Sequence, residues 1–253
     1  NQKGGVGKTT TAVNLAACLA LSGREVLVID MDPQGNASSG LGVNLRENQK
    51  GVYELLAGDA SLDQVVYSTE IDTLKIIPSN VDLAGAEIEL VGRDRREKIL
   101  SMALNGVNEE YEFVVIDCPP SLGLLTLNAL AVSQSVLIPM QCEYYALQGL
   151  SHLLKTLQRV KKSINPNLTV EGILLTMYDS RTLLTSQVEN QVKNYFSDFL
   201  MKTIIPRNIR LSEAPSHGKP IVLYANRSKG SDSYVELAQE VIKRTKGEMI
   251  SPR

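Results

Sequence analysis

Residues 3–10 carry the clearest chemistry: Lys3-Gly4-Gly5-Val6-Gly7-Lys8-Thr9-Thr10. Glycines let a backbone wrap tightly and aim several N–H groups at phosphate oxygens. A helix opening at Thr9 adds the positive end of its dipole. Lys8 supplies a point charge for β- and γ-phosphates, and the Thr9 hydroxyl is placed for Mg²⁺. The strict G-x-x-x-x-G-K-[ST] pattern fails at one position, where Gln2 stands in place of the first glycine. The expectation is a phosphate loop that binds ATP with Mg²⁺ and hydrolyses it.

Two acidic turns complete the set. Asp117 closes an apolar run and precedes Cys118-Pro119-Pro120, where a carboxylate would hold Mg²⁺. Asp30-Met31-Asp32-Pro33-Gln34-Gly35-Asn36 is the second. Asp30 is expected to end a strand on the metal side. Asp32 lies further out and is the better candidate to orient or deprotonate an attacking water. The two histidines, His152 and His217, are far apart and do not suggest a metal site.

The elements that must position these groups follow from periodicity. Residues 9–22 read as a helix with Ala12, Val13, Ala16, Leu19 and Ala20 on one stripe and Gly23 as its stop. Further helices are expected over 84–104, 146–162, 183–199 and 232–245. Strands are expected over 25–29, 74–77, 113–116, 135–139, 170–176 and 203–206. Continuous apolar strands imply a sheet covered on both faces. Strands alternating with helices imply right-handed crossovers and an α/β fold, a doubly wound, mostly parallel sheet flanked by helices. Ligands in such folds bind at the carboxyl ends of strands. Residues 1–253 read as one domain. A phosphate loop normally follows a strand, so a first strand ahead of Asn1 is expected and is missing from this sequence.

Composition narrows the classes. Hydrophobic residues at 43% and charged residues at 21% fit a globular protein with a sizeable core. The net charge of −2 means that nucleic-acid binding requires a local patch. No apolar run approaches the ~20 residues of a membrane span, and no charged-then-apolar leader is seen. Three cysteines without CxxC spacing fit reduced thiols in a cytoplasmic protein.

KGGVGKTT, DMDPQGN and IDCPPSLG together resemble the ParA/Soj partition ATPases, within the deviant phosphate-loop group that includes MinD. The resemblance extends over residues 141–150, 176–181 and 205–218, nearly end to end. It implies a DNA-segregation ATPase whose ATP-sandwiched homodimer binds non-specific double-stranded DNA at the nucleoid. A ParB-like centromere-binding partner would stimulate hydrolysis and release the dimer. Lys3 would be the signature lysine that reaches the partner's phosphates, and Asp32 the residue needed for hydrolysis. Pro206 and Asn208 match positions beside the adenine, and Arg181 and Arg210 match positions of DNA binding.

Other readings compete. A MinD-like membrane switch could use the terminal helix, where Tyr234, Leu237, Ala238, Val241 and Ile242 share a face. Glu236, Glu240, Lys243 and Arg244 give that helix a mixed polar side, which favours core packing. No membrane partner is therefore expected. A metabolic phosphate-loop enzyme would need an acceptor pocket that the sequence does not reveal. Cys118 could suggest an iron–sulfur relative, but four ligands per cluster are not in evidence. Arg93, Arg95 and Arg96 are interrupted by acids and read as a solvated helix face. Lys161, Lys162, Lys193 and Lys202 read as solvated lysines that could extend a DNA patch.

Overall fold

The computed structural model describes residues 4–245. Among the described residues seven strands alternate with helices: β1 (Val26–Asp30), β2 (Tyr67–Ser68), β3 (Leu74–Ile77), β4 (Phe113–Asp117), β5 (Ser135–Gln141), β6 (Thr169–Tyr178) and β7 (Leu200–Pro206). They form a four-stranded sheet in the order β2-β3-β1-β4 and a three-stranded sheet in the order β5-β6-β7. All pairings are parallel except that of the short β2 with β3. The parallel α/β expectation holds, in two hydrogen-bonded sheets instead of one. Helix α1 (Lys8–Leu21) packs against β1, β4 and β5 and so spans the line where the sheets meet.

β1 is buried along its whole length, as a Val/Ile/Leu strand between two helical layers should be. Its register sets Asp30 opposite Asp117 of β4. One periodicity therefore delivers two carboxylates to the same end of the sheet.

The helix expected over 84–104 is broken. A helix spans Leu83–Glu89, 3₁₀ turns follow at Leu90–Gly92 and Arg96–Lys98, and a helix resumes at Ile99–Ala103. Gly92 ends the first piece, and Arg95 has left-handed backbone (φ 53°). The buried Asn128 side chain replaces the continuous ladder. It accepts from Leu100 N–H at 3.0 Å and donates to the Arg96 carbonyl at 2.8 Å. The apolar residues Leu90, Ile99, Leu100 and Leu104 still reach the core. Arg93, Arg95 and Arg96 are exposed, as expected.

The helix Lys229–Thr245 lays Tyr234, Leu237, Ala238 and Val241 into the main core cluster. The Tyr234 hydroxyl lies 3.2 Å from that of Thr11 on α1. The expected mixed face needs correction at Glu240, which is 6% exposed and not solvated. Its carboxylate accepts from Lys202 N–H at 2.8 Å and from Thr203 N–H at 2.9 Å, with Arg244 at 3.0 Å. β7 is an edge strand, and this carboxylate closes backbone donors that would otherwise be open there. Among the described residues no helix is long and apolar enough to cross a membrane.

Candidate nucleotide site

The loop ahead of α1 turns on glycines with positive φ, Gly5 at 74° and Gly7 at 86°, a conformation that costs other L-residues strain. Gly7 caps α1, and Lys8 and Thr9 form its first turn. The first-turn N–H groups of a helix have no intrahelical acceptors and are available to an anion. The Thr176 hydroxyl, from the end of β6, donates a buried 2.8 Å hydrogen bond to the Val6 carbonyl. The loop is thereby pinned to the second sheet.

A cleft of about 870 Å³ opens over this loop. Gly4, Gly5, Gly7, Lys8, Thr9 and Thr10 line it together with Asp32, Pro206 and Asn208. Val6 is buried behind the lining. Lys3 lies outside the described residues. The arginines Arg181 and Arg210 do not line the cleft and are exposed.

The acids differ in environment. Asp117 is 2% exposed, and its Oδ2 has no hydrogen-bond partner. Burial pushes its carboxyl up to about 7, and the charges of Asp30 and Asp32 add to this, while Thr9 and Lys8 oppose it. Asp30 is fully buried. Its carboxylate accepts from the Ser38 N–H at 2.8 Å, the Ser38 hydroxyl at 2.7 Å and the Asp32 N–H at 3.2 Å. Asp30 thus fastens the turn that carries Asp32, a role the sequence did not reveal. Asp32 accepts from Gln34 N–H at 3.0 Å and borders the cleft. Burial lowers the Lys8 ammonium, against the pull of Asp117, Asp32 and Cys118. The Cys118 thiol is pushed up to about 12 by burial, so the neutral form prevails.

Several lining residues escaped sequence reasoning. Thr176 and Met177 come from the end of β6, Pro119, Pro120 and Ser121 follow Asp117, and Arg207 lies between Pro206 and Asn208. Met177 has positive φ (47°), a strained backbone of the kind that concentrates at functional sites. Asn208 caps the Ile209–Glu213 helix by accepting from Arg210 N–H at 2.8 Å.

A glycine-turned phosphate loop, a lysine and threonine on the helix it opens, and acids at two neighbouring strand ends define a P-loop ATPase. A family model described as an AAA domain matches residues 1–170, and the chain is 57% identical to the sporulation initiation inhibitor protein Soj of Bacillus subtilis over 95% of both chains. The chain belongs to the ParA/Soj family of chromosome-partitioning ATPases. It is also 55% identical to the chromosome partitioning protein ParA of Myxococcus xanthus, over 96% of this chain and 86% of that one. Among solved structures it resembles cobyrinic acid a,c-diamide synthase from Mycobacterium smegmatis with bound ADP and magnesium. That likeness has a TM-score of 0.86 and 37% identity, over all of this chain and 95% of the other. The cell division ATPase MinD of Pyrococcus furiosus superposes with a TM-score of 0.79 and 27% identity, over 96% of this chain and 95% of that one.

Proposed function

We propose that this partition ATPase works as an ATP-gated dimer on non-specific double-stranded DNA, and that a ParB-like partner releases it by stimulating hydrolysis. The observation that carries the nucleotide half is the convergence of Gly4–Thr10, Asp32 and Asp117 at one end of the sheet. Lys8 and the loop N–H groups bind the phosphates, Pro206 and Asn208 flank the base, and Lys3 reaches the phosphates of a second copy. Asp32 orients the attacking water.

The residues fit Mg²⁺. Thr9 and Asp117 are oxygen donors set close enough to interact, and Asp117 Oδ2 is buried without a partner. Among the described residues no group of three His, Cys, Asp or Glu forms a self-sufficient cage. An ion held by few side chains and completed by phosphate and water is the usual Mg²⁺ arrangement. Thr9 and Asp117 would hold it, and it would neutralise charge on the phosphates.

The DNA half rests on Arg181 and Arg210. Both are exposed on segments that follow the neighbouring strands β6 and β7. Contacts to phosphates alone predict no sequence preference and steep salt dependence. Dimerisation doubles the contacts, so ATP switches affinity on without altering either arginine. A DNA titration with a non-hydrolysable ATP analogue at two salt concentrations tests this. Arg181→Ala and Arg210→Ala should each weaken binding and leave nucleotide affinity intact. Wild-type DNA affinity in both variants, or nucleotide-independent binding, overturns the reading.

A membrane switch finds less support. The apolar face of Lys229–Thr245 is spent on the core.

A further inference from the structure

Arg181 is 85% exposed, yet one edge of its guanidinium is occupied. Its Nε donates to Asp179 Oδ1 at 2.9 Å, and its Nη2 donates to Asp179 Oδ2 at 2.7 Å. This is the two-pronged geometry with which arginine grips a phosphate. Arg210 is held by a single bond. At 59% exposure, its Nη1 donates to Glu213 Oε2 at 2.8 Å. Glu213 also accepts from the Tyr224 hydroxyl at 3.2 Å.

We propose that Asp179 and Glu213 are internal counter-anions that compete for Arg181 and Arg210 as a partial mask, so that a phosphodiester polyanion engages their bonded N–H groups only by displacing these carboxylates. This rests on the reading of both arginines as DNA contacts and adds the element that sets their strength. Each pair has no net charge, so the patch attracts a polyanion weakly until contact is made. The displaced carboxylate loses a partner and stands near the arriving phosphate. Both effects weaken binding and favour release, which suits a protein that must leave DNA after hydrolysis.

The mask cannot be titrated away near neutral pH. The hydrogen bonds from Arg181 hold the Asp179 carboxyl down at about 2, and the charge of Arg207 acts in the same direction. Hydrogen bonding from Arg210 likewise lowers Glu213. Competition with another anion is then the route to an open fork. Arg207 also lines the nucleotide cleft, so Asp179 feels a cation of the cleft as well as Arg181.

The amide variants Asp179→Asn and Glu213→Gln keep the shape of each side chain. An amide oxygen can still accept from Arg181 N–H, which now meets Asp179 Oδ1 at 3.1 Å. In the full chain loaded with a non-hydrolysable ATP analogue, each should tighten binding to random-sequence duplex DNA roughly two- to fivefold, the range of an exposed ion pair. The gain from Asp179→Asn should vanish when Arg181→Ala is already present, because the mask acts through that arginine. Glu112→Gln makes the same charge change at the amino end of β4, where Glu112 pairs with Arg24, and should change nothing. Unchanged or weaker binding in both amide variants, with Arg181→Ala still damaging, overturns the mask and leaves the DNA reading standing. Equal tightening by Glu112→Gln also overturns it, as an effect of net charge alone. If neither the arginine nor the amide variants alter affinity, the DNA reading fails and the mask fails with it.

Discussion

The Thr176 hydroxyl hydrogen-bonds the Val6 carbonyl at 2.8 Å across 170 residues of chain, in a buried setting. It joins the end of β6 to the phosphate loop and makes the second sheet a support for the nucleotide site. Thr176→Val keeps the volume and leaves the carbonyl without its donor. A loss of about 1–3 kcal/mol in denaturant unfolding is expected. KM for ATP should rise more than kcat falls, because the loop is displaced and the reacting groups are kept. Parent-like stability together with a parent-like KM would remove Thr176 from this role.

Lys8 is half of the charge argument. It stands at the start of α1, lines the cleft, and feels the charges of Asp117 and Asp32. Lys8→Ala removes a charge-assisted contact of about 1.5–3 kcal/mol. Calorimetry should therefore record ATP affinity weaker by roughly ten- to a hundredfold. Undiminished affinity would contradict the assignment.

Asp32 separates binding from chemistry. It borders the cleft on a turn that Asp30 and Ser38 fasten from behind. Asp32→Ala should retain ATP, because its partners are backbone groups of the turn. Single-turnover hydrolysis should fall by about 10²–10⁴, the usual contribution of a positioned base. Hydrolysis at the parent rate would assign the water to another group.

Lys3 adds a second cation ahead of a phosphate chain already served by Lys8. Its proposed use is the phosphate chain of a second copy, which couples association to ATP. Lys3→Gln should remain a monomer with ATP in light scattering. An ATP-dependent dimer in that variant would refute the coupling.

How much of this was legible before the structure depends on range. The α1 span, the buried β1 run and the glycine loop are local patterns, legible within a residue or two, although Thr11 to Ala20 are all buried and α1 has no one-sided stripe. The strand-end acids were legible because apolar runs stop at them. The break within 84–104 was not, because it is stabilised by Asn128, from a helix well downstream. Asp30 ends its strand opposite Asp117, as its position after an apolar run implies, but its second task, anchoring the turn through Ser38, has no local signal. The contact of Thr176 with the loop had no signal, because a lone threonine at a strand end has no period to betray its partner. The masks on Arg181 and Arg210 lie only two and three residues away in sequence. Spacing alone does not say which way an exposed side chain turns.

Glu240 gives the sharpest stability prediction. Burial raises its carboxyl, but the N–H groups of Lys202 and Thr203, the Thr203 hydroxyl and the charge of Arg244 outweigh that, and the net shift is downward. A carboxyl lowered in the folded state contributes stability above its unfolded value of about 4.3. That contribution is lost as pH falls through the folded value. Glu240→Gln presents an amide N–H₂ to backbone donors that need an acceptor, and it removes the charge facing Arg244. Arg244 keeps its bonds to the carbonyls of Glu171 at 2.8 Å and Leu200 at 3.3 Å, so the loss centres on the β7 edge. Unfolding at neutral pH should cost about 1.5–3 kcal/mol less in the variant. The difference between variant and parent should shrink as pH drops below about 4, while ATP affinity at neutral pH stays unchanged. A constant difference from neutral to acid pH would show that packing, not the carboxylate charge, holds this edge.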